Sequence, residues 1–413
     1  MSTPPDDRPP SRWGALRNPG YRLFWVARFL ATFSALVVSV GVGWQVYDLT
    51  RNPFDLGLVG LIQFAPALLL VLVTGTISDR YNRRVVIFVC QIVEAAVTAT
   101  LLILTATGSI TIGAIFALLV LFGIARAFLG PAAQSLIPNL VQPHEIASAI
   151  GWSSSSWQVA NILGPVAGGL LYGIAPEAAY GVAVVLVAIA GVLVILIPRP
   201  PQKTVPERPT WTTLLAGFRY VWQEKIVLGA ISLDLFAVLL GGATALLPAY
   251  ARDILVVGPW GLGLLRGASG MGAIGVAIFL AVRPVRDHAG LIMFAGVAVF
   301  GVFTIVFGVS TVVWLSVVAL AVMGAADMVS VYIRETLIQL WTPDAVRGRV
   351  SAVNMVFIGA SNEVGEFRAG TVAALIGVVP AVVIGGVGTV AVAILWMIWF
   401  PGLRKARHLR GRN

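Results

Sequence analysis

The sequence predicts an all-α membrane protein of twelve transmembrane helices arranged as two six-helix halves. Three observations lead there. First, the chain is 58% hydrophobic and only 11% charged. Soluble domains carry about 25% charged residues, so this chain cannot cover a water-facing surface, and its main solvent is lipid. Second, its apolar residues fall in continuous runs of about 20, the length a helix needs to cross about 30 Å of hydrocarbon. A β-barrel would alternate over segments of about ten instead. Third, lysine and arginine gather in alternate connectors.

The runs lie at 22–47, 56–77, 85–106, 111–135, 146–173, 179–197, 226–251, 260–282, 289–308, 312–337, 350–377 and 380–400. Turn residues separate them, among them Pro53, Gly108, Pro143, Pro176, Gly258, Pro284, Pro343 and Pro380. The organisation expected is an N-terminal segment 1–21, a helical bundle 22–198, a Pro- and Arg-rich linker 199–225, a second bundle 226–400 and a basic tail 401–413. A faint repeat at an offset of about half the chain supports two parallel-related halves: Leu136, Pro143 and Ser148 correspond to Leu337, Pro343 and Ser351.

Charge distribution sets the expected orientation. Of 28 lysines and arginines, 21 lie in the two terminal segments, the 78–84 hairpin, the central linker and the connectors around 283–286 and 347–349. The opposite side has only Arg51 and Arg252, and five more fall within spans. The positive-inside rule then places both termini in the cytoplasm of a plasma (inner) membrane protein. The net charge of +10 is therefore topological and argues for no nucleic-acid partner. The basic tail reads as an anchor to anionic lipid. Residues 1–20 lack the short apolar region and cleavage site of a signal peptide.

Cys90 is the single cysteine, and His144, His288 and His408 fall in connectors, so no disulfide, metal site or cofactor is expected. No nucleophile–base constellation points to an enzyme. No phosphate-binding loop is present, so an ion gradient is the remaining energy source.

Three motifs carry a family resemblance. The hairpin Gly75-Thr-Ile-Ser-Asp79-Arg80-Tyr-Asn-Arg83-Arg84 resembles the motif between helices 2 and 3 of the major facilitator superfamily. Asn82 stands where that motif has glycine, and asparagine suits a left-handed turn better than most residues. Arg126 and Gly130 resemble the Arg-bearing motif of the fourth helix. Gly164, Pro165, Gly168 and Gly169 resemble a fifth-helix element associated with exporters and proton antiporters. The stretches around Gly217, Gly348 and Asn362-Glu363 are similar to the enterobactin exporter and macrolide-efflux group.

The resemblance implies that Asp79 locks against the eleventh helix, which is expected to begin near Gly348, where free N–H groups favour a carboxylate. It implies that the Gly-Pro bend seals the interface between halves, although close helix packing alone would need the same small residues. It also implies a cavity lined by the first, fourth, seventh and tenth helices.

Ionisable residues within spans are costly and so are functional candidates. Equal depth suggests a Glu94–Arg126 pair, with separate satisfaction the alternative. Asp234 lies at the depth of Arg334 and Glu335, and Asp327 is on the face of Arg334. Asp234 and Asp327 are the first candidates for proton coupling, against a purely structural ion pair. Glu363 and Glu366 share a face, with Arg368 as the expected charge partner. Arg28 is expected to snorkel to the interface. Gln45, Trp157, Gln158, Asn161 and Asn354 are candidates for the substrate cavity, alongside a packing role for the aromatics. The mixture suits a largely apolar or amphipathic compound, with Arg126 available to an acidic group.

The leading expectation is a monomeric secondary transporter. It would export a small drug- or siderophore-like compound in exchange for protons by alternating access. Uptake, facilitated diffusion and a transporter-like sensor or scaffold remain alternatives.

Overall fold

The computed structural model describes residues 13–70, 73, 74, 77, 80–198, 211–285 and 287–405. Those residues are helical with no strand among them. Twelve long helices follow in order. They are α1 (Pro19–Thr50), α2 (Pro53–Leu69), α3 (Arg83–Ala106), α4 (Ile112–Leu140), α5 (Ile146–Ile174) and α6 (Pro176–Leu196). After the linker come α7 (Lys225–Gly241), α8 (Gly258–Val282), α9 (Ala289–Val309), α10 (Val313–Trp341), α11 (Asp344–Ile376) and α12 (Val378–Trp399). Among the described residues nine helical segments are long and apolar enough to cross a bilayer, and α2 is a shorter apolar helix. α5 and α11 are more polar, carrying the runs Ser153 to Ser156 and Asn362 to Arg368.

Local chemistry sets several helix starts. The Asn18 side chain accepts from Gly20 N at 2.9 Å, that of Asn52 from Phe54 N at 3.0 Å, and that of Asn82 from Arg84 N at 3.1 Å. Each satisfies a backbone donor that the first turn leaves free, and Pro19 and Pro53 sit where no donor is needed. Asn82 is thus an extended cap (φ −63°) and not the left-handed residue expected of it.

Other boundaries also move. In the second run α2 ends at Leu69, just beyond Pro66, and residues 73, 74, 77 and 80 are again helical. The seventh is regular only to Gly241, then continues through a 3-10 turn at Thr244–Leu246 and a π turn at Tyr250–Ile254. Within the linker, Trp211–Gln223 forms a helix packed on α11. The eleventh helix begins at Asp344, before Gly348.

The packing repeats six helices on. α1 packs on α5, α2 on α4 and α3 on α6; α7 packs on α11, α8 on α10 and α9 on α12. The halves meet through α5 against α8 and α2 against α11. On the side away from the termini one apolar core crosses both halves, including Val40 and Tyr180 from the first and Leu247, Tyr250 and Leu262 from the second. On the terminal side the cores are separate, one built on Tyr21, Phe24 and Leu136, the other on Leu233, Phe294 and Leu337. The halves are therefore closed at the far side and parted toward the termini.

Candidate substrate and coupling site

The closed side depends on close approach. An added Cβ at Gly169 on α5 would lie 2.8 Å from the backbone of Gly263 on α8, and one at Gly168 would lie 3.0 Å from Val37 Cα on α1. Gly164 faces Leu36 of α1, and the Pro165 carbonyl faces Gly263. The Gly-Pro element therefore serves two interfaces at once, one within the first half and one between halves.

Beyond that seam lies a charged network bridging the halves. Asp48 pairs with Arg252, and Arg51 with Asp253 at 3.1 Å. The Tyr47 hydroxyl donates to Asp253, and the Arg252 guanidinium lies 5.4 Å from the Trp44 ring centroid. The π turn presents Arg252 and Asp253 on adjacent positions. Arg51 and Arg252 are the two basic residues that stood apart from the orientation pattern, and here both join the halves.

A cavity of about 380 Å³ opens between the halves, with Trp157, Gln158 and Asn161 of α5 facing Arg266, Asp327 and Glu366 of the second half. A second, of about 210 Å³, lies between Ser39, Gly60 and Gln63 on one side and Arg266, Glu363 and Glu366 on the other. Arg266 Nη1 donates to Ser39 Oγ across the halves at 2.9 Å. Among the described residues Asp327, Glu363 and Glu366 make no hydrogen bond or ion pair.

The structure brings together some expected partners and separates others. Glu94 and Arg126 approach to 4.0 Å, with Glu94 buried and Arg126 45% exposed. Asp234 pairs with Arg334, and both are buried. Asn354 donates to Glu335 at 2.8 Å and is itself buried. Gln45 is likewise buried, bonded to Thr105 at 3.0 Å and to the Tyr180 hydroxyl at 2.8 Å. Both were expected at the cavity; instead each satisfies a polar neighbour inside its own half.

Arg368 makes no ion pair with Glu363 or Glu366. It donates to the Leu240 carbonyl, and the cation acting on Glu366 is Arg266. Sequence spacing favoured Arg368 because it is two residues away, but i and i+2 diverge on a helix. Arg28, expected to snorkel, has a more specific place. It lines a cavity within the first half together with Arg126, Gly130 and Trp157.

Of the hairpin motif, Gly75 and Asp79 lie outside the described residues. Arg80 is exposed, Arg83 is buried, and Arg84 donates to the Ile197 carbonyl at the end of α6. No group of His, Cys, Asp and Glu able to hold a metal ion occurs among the described residues.

Comparison with known proteins places this architecture. A family model described as transmembrane secretion effector matches residues 10–407. The enterobactin exporter EntS of Citrobacter koseri is 25% identical over 394 residues, covering 95% of this chain and 94% of that protein. The Salmonella choleraesuis protein of the same name is 24% identical over 396 residues, with the same coverage. Among solved structures, a mutant of the nucleoside transporter NupG superposes with a TM-score of 0.73 at 15% identity, covering 92% of this chain and all of that one. A bacterial homologue of the lysosomal transporter Spinster, inward-facing and occupied, gives 0.71 at 14% identity over 93% and 95% of the two chains. At such identities the structural likeness speaks to the fold alone.

Proposed function

The chain belongs to the transmembrane secretion effector family of the major facilitator superfamily and is a multi-pass membrane transporter, not an enzyme, and we propose that it exports a small amphipathic compound in exchange for protons. The relatives are enterobactin exporters, which supports the outward direction. The positive-inside distribution supports cytoplasmic termini in an inner membrane. With that orientation, the parted side of the molecule faces the cytoplasm and is the side from which cargo loads.

One observation carries proton coupling. Asp327, Glu363 and Glu366 line the cavities between the halves with a single cation, Arg266, among them. One guanidinium neutralises one carboxylate, which leaves two acids whose charge requires a counter-ion. In a water-filled cavity opened alternately to the two sides, the proton is the counter-ion that these side chains bind and release without a dedicated cage. Arg266 also bonds Ser39 of the other half, so charge changes at Glu366 bear directly on a contact that must break during alternating access. The Asp79 contact with α11 remains a proposal of the family resemblance, and a monomeric state is part of the same reading.

The test uses proteoliposomes carrying the purified protein, with pyranine inside to follow pH and either ethidium or fluorescein as the transported dye. An imposed proton gradient is expected to drive accumulation of the transported dye with matching proton movement. Both should be lost in D327N and E366Q. Accumulation that survives a protonophore and both substitutions would refute proton coupling.

A further inference from the structure

The first half holds a positively charged wall that the proton-coupling argument does not use. Arg28 of α1, Arg126 of α4 and Trp157 of α5 line one cavity. Arg28 and Trp157 continue into an adjoining space of about 660 Å³, and Trp157 also lines the cavity between the halves. The three spaces thus meet at one exposed indole, which is 51% accessible.

The charges on this wall are poorly compensated. Among the described residues Arg28 has no hydrogen-bond or ion-pair partner. Arg126 is 45% exposed and reaches Glu94 only at 4.0 Å, while its guanidinium lies 5.8 Å from the Phe122 ring centroid. Two guanidinium groups against one carboxylate leave this wall positive. A cation within a membrane domain is costly unless paired, and Arg28 lines the cavity. The amides of Gln91 and Gln134 complete the polar lining. The opposite wall, with Asp327 and Glu366, carries the reverse charge.

We propose that Arg28, Arg126 and Trp157 form a subsite for a compound bearing a carboxylate-class anionic group on a planar aromatic body. The guanidinium groups supply paired donors in the geometry a carboxylate accepts. The exposed indole offers a flat face against which an aromatic ring stacks. An amphipathic cation would be repelled from this wall. The proposal rests on reading these cavities as the transport path, and it divides labour between an anion-binding first half and a proton-binding second half.

Binding separates this proposal from transport. Fluorescein and rhodamine 123 share a tricyclic frame and differ in charge, and their fluorescence anisotropy reports binding to the full-length protein in lipid nanodiscs. Wild-type protein should prefer fluorescein. R28Q and R126Q should each weaken its binding by about tenfold, and R28K should retain part of it. W157A should weaken it as well. Equal or tighter binding of rhodamine 123 to wild type overturns the proposal, as does unchanged fluorescein affinity in the folded glutamine variants. Should either glutamine variant fail to fold, the wild-type preference between the two dyes and the loss in W157A decide the matter. None of these readings depends on a proton gradient, so a failure of antiport leaves them intact.

Discussion

Asp234 on α7 and Arg334 on α10 form an ion pair in which the side chains are 9% and 3% exposed. Each charge is held by the other, with Glu335 a distant third at 3.9 Å from Arg334. Removing one partner strands the other in a dry interior. D234N is expected to destabilise the purified protein by about 3–5 kcal/mol. Replacing both by apolar residues of similar size, as in D234L/R334M, should recover most of that loss. Thermal unfolding in detergent reads both. D234N within about 0.5 kcal/mol of wild type would show that the pair carries no structural weight. Asp327, which lines the cavity without such a partner, is the better placed of the two first candidates for coupling.

Gly169 and Gly263 let α5 and α8 meet backbone to backbone. G169V would place its Cβ 2.8 Å from the Gly263 backbone and so push the two halves apart. Overpacking of this kind costs about 1–3 kcal/mol. Because the contact is between halves, the cost falls on the state closed at the far side. Dye leak through proteoliposomes should rise while each half stays folded; wild-type leak in a well-folded G169V would refute the seal.

The fold was legible because the bilayer dictates it: continuous apolar runs, turn residues and one-sided arginines need no tertiary knowledge. The site was legible only where depth along a helix predicts partners. Asp234 and Arg334 meet, and Glu94 approaches Arg126. Rotation about a helix axis is not written in depth, and Gln45 and Asn354, expected at the cavity, bond polar neighbours within their own halves. Pairing across the halves was harder still. Arg266 bonds Ser39, 227 residues away, and no sequence spacing connects them. A signal did exist for Arg51 and Arg252, since they alone broke the orientation pattern.

Glu94 lies 4.0 Å from Arg126, and Glu94 Oε1 is buried with no hydrogen-bond partner. The pair is loose and Arg126 is half exposed to the cavity, so its net contribution to stability should be about 0–1 kcal/mol. A double-mutant cycle with E94Q and R126Q should therefore show weak coupling in thermal unfolding. Removing the carboxylate also leaves the wall more positive. E94Q is expected to tighten fluorescein binding severalfold, because Arg126 is then no longer shared with a second carboxylate. Unchanged or weaker fluorescein binding in E94Q would show that Arg126 does not face the anion.

The network of Asp48, Arg51, Arg252 and Asp253 should act as a latch on the far side. Its members are partly exposed, 46% for Asp48 and 24% for Arg252, so each pair contributes only about 0–1 kcal/mol. That is little against global stability, but it is a useful fraction of the few kcal/mol that separate alternating states. D48N/D253N removes both acids while leaving the seam at Gly169 intact. Spin labels at Ser109 and Val312, exposed at the far ends of the two halves, would follow the opening by pulsed EPR in a C90S background. The double variant should populate longer distances than wild type with little change in unfolding temperature. High salt should shift wild type the same way, because exposed pairs are screened. Identical distance distributions in wild type and D48N/D253N would show that the halves are held together at this end by the apolar core and the glycine seam alone.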